Sequence, residues 1–320
     1  MTTLITGGTG FIGSHLARRL VQEGEQVVLF DRFPSSQRIA DIEDRVTIVP
    51  GDVNELGELV LAMKRHRVQR VAHLAFAPGA VHPDKVIPYM RAQCIGTANV
   101  FEAARIQEVT RVANASSVAV FGFMKAGSRP SVGEEDQAAP NDLYGSCKLW
   151  GEHIAEFYNR NGMEILSLRI CASLGYGRLD RASLAAGLTS ERRNYMAAPE
   201  LAVLGEPVTM PPDDEVVDII YAADSAEAFR LALFAPRPEH SVFNLRAEQR
   251  PVGDLTHHLR RLLPDAEINV ATERVNLIQL MDNERIVEEL GFQPRYTLEA
   301  GIEEYIAHVR EAQRRAGAAD

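Results

Sequence analysis

The chain has 320 residues, room for one large α/β domain or a large one with a small partner. Hydrophobic residues make up 46% and charged residues 24%, which excludes a disordered, collagen-like or disulfide-scaffold chain. With 44 acidic residues against 34 basic ones the net charge is −10, which argues against a nucleic acid or an anionic membrane surface as partner. Three cysteines, none spaced as a metal pair, fit a reducing compartment. No apolar run reaches the ~18 residues of a membrane span. The N-terminus enters a strand-like run without a basic leader, so a soluble cytoplasmic protein is expected.

The first elements alternate between strand and helix. Thr2–Thr6 reads as a buried strand, and Phe11–Gln22 carries apolar residues at helical spacing. Gln26–Phe30, Val46–Pro50 and Arg70–Leu74 are β-rich, with a helix over Glu55–Arg65. A long helix is expected over Val86–Arg105, a strand over Arg111–Ala115, a helix over Leu143–Asn159 and a strand over Glu164–Arg169. Continuous apolar strands alternating with amphipathic helices predict a doubly wound, Rossmann-type parallel sheet covered on both faces.

After Arg169 the rhythm breaks. Residues 171–214 are rich in Ala, Gly, Arg and Pro, with a loose helix near Arg181–Met196. Strands are expected at Val216–Tyr221 and Ser241–Leu245 around a helix at Ser225–Phe234, and then helices at Val252–Leu263, Glu284–Leu290 and Leu298–Arg314. The reading is a cofactor domain over residues 1–170, with 215–245 returning to its sheet. A smaller α/β substrate lobe is built from 171–214 and 246–320.

Gly7, Gly10 and Gly13 follow the first strand and open the first helix. Glycines there let a backbone approach a pyrophosphate, and the helix N-terminus supplies N–H donors and a positive dipole end. Phe11 and Ile12 belong to the same turn. Asp31 closes the next strand, 18 residues after Gly13. A carboxylate there accepts ribose hydroxyls and repels a 2′-phosphate, which favours NAD over NADP. Arg32 and Arg38 pull the other way, since a nearby arginine can accept that phosphate. Asp52, in Gly51-Asp52-Val53, can accept from an adenine amino group or cap a helix.

Tyr144 and Lys148 stand four apart on one helix face. A lysine ammonium one turn away lowers the pKa of a tyrosine and makes it a usable acid/base. Such pairs also arise by chance. Ser116 and Ser117 close a strand of the same half-sheet, at the edge where open α/β folds bind ligands. His73, His82 and His153 do not cluster at ligand spacing, so no metal is expected. Cys147 and Cys171 read as small core fillers.

Together these motifs resemble the extended short-chain dehydrogenase/reductases, the NAD-dependent epimerase/dehydratase family. The matching stretches run from Thr6–Gly13 through His73-Leu74-Ala75, Gly96–Val100, Ser116–Gly122, Tyr144–Lys148 and Asp218–Asp224 to Leu290-Gly291-Phe292. The resemblance implies an enzyme that moves hydride between a carbinol carbon and the nicotinamide of NAD, with catalytic residues Ser117, Tyr144 and Lys148. It implies a cofactor set of Gly7, Gly10, Phe11, Ile12, Gly13, Asp31, Arg32, Asp52, Val53, Leu74, Ala75, Phe76 and Gln93, together with Tyr144 and Lys148. It also implies a homodimer through the helices near Val86–Arg105 and Leu143–Asn159, although core packing would account for their apolar content equally well. The expected partner is a small molecule.

The departures bear on substrate. Gln93 stands where the family has Asn. Val118-Ala119 replace the Asp-Glu pair of the dehydratases, and two apolar residues cannot carry out an elimination. Ala172 replaces the usual Asn, and Val217 the Arg before Asp218; both losses tell against a nucleotide diphosphate. The favoured substrate is therefore a smaller carbohydrate-derived alcohol oxidised once, with nucleotide-sugar 4-epimerisation as the alternative and a non-catalytic NAD-binding protein behind both. Candidate substrate contacts are Ser116, Ser117, Tyr144, the Phe76–Ala80 loop, Phe123–Lys125, and Arg178 or Arg192/Arg193. The arginines suit a carboxylate or are solvated helix charges.

Overall fold

A computed structural model of the protein describes residues 1–76, 83–124, 131–178, 194–273, 277–278 and 280–317. In chain order the strands begin with β1 (Thr2–Thr6), β2 (Gln26–Asp31), β3 (Thr47–Pro50), β4 (Arg70–His73), β5 (Arg111–Ser117), β6 (Phe123–Met124) and β7 (Ile165–Ile170). They continue with β8 (Ala172–Leu174), β9 (Val208–Met210), β10 (Val216–Tyr221), β11 (Val242–Leu245), β12 (Glu248–Pro251), β13 (Ile268–Val270) and β14 (Leu277–Ile278). The helices are α1 (Phe11–Gln22), α2 (Leu56–His66), α3 (Val86–Met90), α4 (Gly96–Ile106) and α5 (Leu143–Arg160), then α6 (Asn194–Val203), α7 (Ala222–Phe234), α8 (Val252–Leu262), α9 (Glu284–Leu290) and α10 (Leu298–Gly317).

Seven parallel strands form the main sheet, in the order β11-β7-β5-β4-β1-β2-β3. Successive residues of each strand face opposite sides, and both sides are apolar. Ile5, Leu29, Ala72, Ala113 and Leu166 join one core with Leu16 and Leu20 of α1 and Phe229 and Leu233 of α7. Their neighbours Leu4, Val28, Val71, Val112 and Ile165 join another with Leu59 of α2, Phe101 of α4 and Ala155 of α5. Helices on both faces explain why these strands read as unbroken apolar runs.

Two expectations are corrected. Val216–Tyr221 does not return to the main sheet. It is the centre of a separate sheet, β12-β10-β8, pairing parallel with Ala172–Leu174 and antiparallel with Glu248–Pro251. Of the 215–245 stretch, β11 joins the main sheet and α7 packs on it, and Ile220 of β10 reaches into the same core. Strands of three or four residues such as β8 and β12 are too short for a period-two pattern to stand out. The long helix over Val86–Arg105 is also interrupted: between α3 and α4 lies a π-helical turn, Arg91–Ile95. Such turns carry one residue more per turn and re-aim their side chains. Of the helix expected at Arg181–Met196, residues 179–193 lie outside the described residues; α6 begins at Asn194.

A third core belongs to the lobe. Ala172 and Leu174 of β8, Val217 and Ile219 of β10, Leu201 of α6, Leu255 of α8 and Ile302 of α10 pack together there.

Candidate active site

The glycine loop is as tight as its spacing predicts. Gly7 adopts φ +66°, and a Cβ on it would lie 2.8 Å from Ala75 Cα. A Cβ on Gly13 would lie 2.3 Å from Gly7 O, so α1 can start against the loop only with glycine there. Asp31 faces this loop: its Oδ2 accepts from Thr9 N at 3.1 Å and Thr9 Oγ1 at 2.8 Å. The cradle and its acid are thus adjacent, as a dinucleotide requires, and they fit NAD. Arg32 pairs with Asp52 at 3.2 Å, and Arg38 Nε donates to Gly177 O at 2.7 Å. Asp52 also accepts from Asn54 N at 3.0 Å, which holds the turn before α2. Val53 lies under the start of α4, where a Cβ on Gly96 would be 2.7 Å from Val53 Cγ2.

A directional chain of hydrogen bonds crosses behind the loop. Ala75 N donates to Thr6 Oγ1 at 3.3 Å, and Thr97 Oγ1 donates to Gln93 O at 2.6 Å. Between them stand His73 Nδ1, 2.7 Å from Thr6 Oγ1, and His73 Nε2, 3.0 Å from Thr97 Oγ1. Since Thr97 spends its proton on Gln93 O, it accepts from His73 Nε2–H, and Thr6 donates to Nδ1. The imidazole is therefore neutral. Burial, and then the nearby Lys148, push its pKa down to about 3, in agreement. Gln93 is buried in the π-helical turn, and its Nε2 has no hydrogen-bond partner among the described residues.

Asp142 caps α5, its Oδ1 accepting from Gly145 N at 2.7 Å. Gly145 lies directly on the turn that follows β5: a Cβ there would be 2.3 Å from Ala119 O. That contact brings the start of α5, with Tyr144, against the Val118–Phe121 turn capped by Ser117. Gly145 was not singled out in the sequence. A glycine in a helix's first turn, costly without a packing reason, was the available signal. Lys148 Nζ donates to Ala115 O at 2.8 Å and lies 5.7 Å from the Tyr144 ring centre and 6.0 Å from that of Phe76. The Phe76 and Tyr144 rings meet edge to face at 5.9 Å. Burial pushes Lys148 down to about 8.

Of the expected substrate contacts, Tyr144 and Phe76 meet here, and Ser117 caps the turn against which the start of α5 packs. Phe123 is anchored just before the α5 cap, its N donating to Asn141 Oδ1 at 2.9 Å. Ser116 is a correction. Strand alternation turns it to the opposite face from Ser117, where its Oγ donates to Glu152 Oε1 inside the protein. Arg178 lies elsewhere: its guanidinium rests on the Phe11 ring at 5.7 Å, and Nη1 donates to Ser173 O at 2.8 Å, at the α1 end of the cofactor cradle. Arg192, Arg193, Ala77–Ala80, His82 and Lys125 lie outside the described residues. Among the described residues no group of His, Cys, Asp and Glu could hold a metal ion, and no helix is long and apolar enough to cross a membrane.

Residues 3–245 match the sequence profile of the NAD dependent epimerase/dehydratase family. A dTDP-glucose 4,6-dehydratase of Actinoplanes sp. is 25% identical over 332 residues, covering 97% of this chain and 98% of that protein. UDP-glucuronate 4-epimerase 4 of Arabidopsis thaliana is 27% identical over 335 residues, covering 96% of this chain and 74% of its own. Among solved structures, the UDP-glucose 4-epimerase of Thermotoga maritima with UDP-glucose superposes with a TM-score of 0.83 at 23% identity, over 98% of this chain and all of that one.

Proposed function

The chain belongs to the NAD-dependent epimerase/dehydratase family, and from that premise we propose that Tyr144 is the acid/base for hydride transfer between NAD and a secondary alcohol of a carbohydrate-derived substrate. The observation that carries this reading is the Tyr144–Lys148 pair, one helical turn apart and pinned through Lys148 to Ala115 O. A lysine with a pKa near 8 is still mostly protonated at neutral pH. Its cation favours the Tyr144 phenolate and so makes the side chain a base for the substrate hydroxyl. Ser117, at the end of β5, supplies a hydroxyl to orient the substrate oxygen. Gly7, Gly10, Gly13 and the first N–H groups of α1 would hold the pyrophosphate and Asp31 the ribose. NAD, when bound, supplies the hydride acceptor.

Val118 and Ala119 are buried and apolar, which leaves no acid and base beside Ser117 for an elimination. Ala172 and Val217 lie in the apolar core of the lobe, so neither offers a diphosphate a polar contact. Both features favour one oxidation of a smaller alcohol, taken up against a lobe formed by 171–214 and 246–320. Nucleotide-sugar 4-epimerisation is the second reading, favoured by the activity named for the Arabidopsis relative. Incubation with NAD and a panel of sugar acids, polyols and hydroxy acids is expected to generate NADH with at least one member. Tyr144→Phe should slow that rate by about 10²–10⁴-fold while the protein still binds NAD. No NADH from any member, with inversion of UDP-glucuronate or UDP-glucose, would replace the first reading by the second.

The homodimer and the cytoplasmic setting belong to the same proposal. Ile87, Met90 and Ile95 before α4 and Phe157 on α5 are all exposed apolar side chains on the two helical stretches expected to pair. Sedimentation at micromolar concentration tests the dimer: a monomer there removes it.

A further inference from the structure

Behind the site lies a buried ion pair for which the hydride-transfer reading has no use. Arg169 at the end of β7 grips Glu152 of α5 with two bonds, Nε to Oε1 at 2.9 Å and Nη2 to Oε2 at 2.8 Å. The two side chains are only 6% and 4% exposed. Glu152 also accepts from Ser116 Oγ. The Arg169 guanidinium lies 4.8 Å from the centre of the Phe121 ring, the last residue of the turn that Ser117 caps, and its Nη1 donates to Glu134 O at 3.3 Å. One pair thus holds α5, the end of β5 and the turn after it.

The spacing on α5 gives this grip a direction. Tyr144, Lys148 and Glu152 follow one another at four-residue steps, so they occupy one helix face on three successive turns. Two of those turns are tied to consecutive residues of β5, Lys148 to the Ala115 carbonyl and Glu152 to the Ser116 hydroxyl. The third turn, carrying Tyr144, is thereby fixed in height and rotation over the strand end. A buried ion pair is poor support for stability in itself, because well-packed apolar residues of similar volume often do as well. What a planar, two-bond fork adds is a fixed geometry.

We propose that the Glu152–Arg169 pair is a positioning element for the reaction: through Ser116 and Phe121 it holds α5 and the β5 turn in the register that places Tyr144 beside Lys148 and Ser117. The inference rests on the reading of Tyr144 as the acid/base. Its test needs no substrate. The NAD-saturated protein is titrated for phenolate absorbance, and the difference from Tyr144→Phe isolates the step that belongs to Tyr144. Two variants that leave the net charge unchanged are compared, Ser116→Ala and the double variant Glu152→Leu/Arg169→Met. In each, the Tyr144 step is expected to move upward, by about one pH unit in the double variant, a tenfold loss of phenolate at fixed pH. NAD affinity is expected to stay within about twofold, since the cradle is remote from the pair. Ser116→Ala deletes a single hydroxyl and remains informative if the double variant fails to fold. A Tyr144 step that stays in place in every folded variant overturns the positioning role alone. Absence of any step removed by Tyr144→Phe overturns the acid/base reading and the inference together.

Discussion

Two carboxylates are buried to nearly the same degree in different parts of the molecule, Glu152 behind the site and Asp218 at the root of the lobe, and they are held in opposite ways. Glu152 has both oxygens occupied, by the Arg169 fork and by Ser116. Asp218 accepts from Met281 N at 2.6 Å through Oδ2, whereas Oδ1 is buried with no hydrogen-bond partner among the described residues, and the Gln249 side chain, which works to lower the pKa, does not offset the burial. The nearest cation, Arg246, stands off at 3.9 Å and gives its Nε proton to the Met281 carbonyl at 2.6 Å instead. Burial pushes Asp218 up to about 7. The chain has thus spent its polar precision where α5 meets β5. Where the lobe's small sheet meets the 280–282 segment it tolerates a half-satisfied acid.

The largest effect should come from breaking the tighter of the two. Glu152→Ala strands the Arg169 guanidinium in the interior, and removal of one partner of a buried pair costs about 3–5 kcal/mol. Urea unfolding at neutral pH measures it. A loss below about 1 kcal/mol would mean that water reaches Arg169 and that the contrast with Asp218 is not one of burial.

A second, smaller effect separates the site from the lobe by pH. The chain from Ala75 through Thr6, His73 and Thr97 to Gln93 requires a neutral imidazole. His73 has its pKa depressed in the fold to about 3, against an ordinary 6.5. The unfolded chain therefore takes up the proton first. The stabilising contribution is complete above 6.5 and is lost as the pH falls below it, at up to about 1.4 kcal/mol per pH unit. Unfolding free energies at pH 7, 6 and 5 should fall more steeply for the native protein than for His73→Gln. Parallel curves would show that the imidazole is reached by water and that the chain is not closed.

The same contrast governs what could be read from the sequence. Around β1, β4 and β5 the chemistry needs residues at fixed steps: Gly7, Gly10 and Gly13 where backbones touch, and Tyr144 and Lys148 on one helix face. Spacing therefore picked them out, the Tyr144–Lys148 pair only in the company of the other motifs. Ser116 was misjudged because two adjacent serines look alike in a sequence, while a strand sends them to opposite faces. The Glu152–Arg169 pair was missed because its members lie on different elements, and only the β5–β7 register, which sets Ser116 beside Arg169, shows that they meet. In the lobe the strands are three to six residues long and their partners distant, so Val216–Tyr221 was assigned to the wrong sheet although its limits were found. Asp218 stood out as a motif residue, but nothing in its neighbours along the chain foretold that its partner would be the backbone of Met281.

The smallest predicted effect turns on that loose end. Asp218 has an ordinary pKa near 3.8, and the fold raises it to about 7, so the folded state binds the proton more tightly than the unfolded one. The sign is opposite to that of His73: the fold loses stability as the pH rises from 3.8 towards 7, while the buried carboxyl gives up its proton. Asp218→Asn keeps an oxygen for Met281 N and never acquires the charge. Relative to the native protein it should therefore gain stability between pH 6 and pH 7, by about 1 kcal/mol, within the limit of ~1.4 kcal/mol per unit. Measured beside His73→Gln, it should bend the pH–stability curve the other way. If Asp218→Asn instead destabilises the protein increasingly as the pH rises, the Asp218 charge is needed by Arg246, and the lobe root is an ion pair as closely made as the one behind the site.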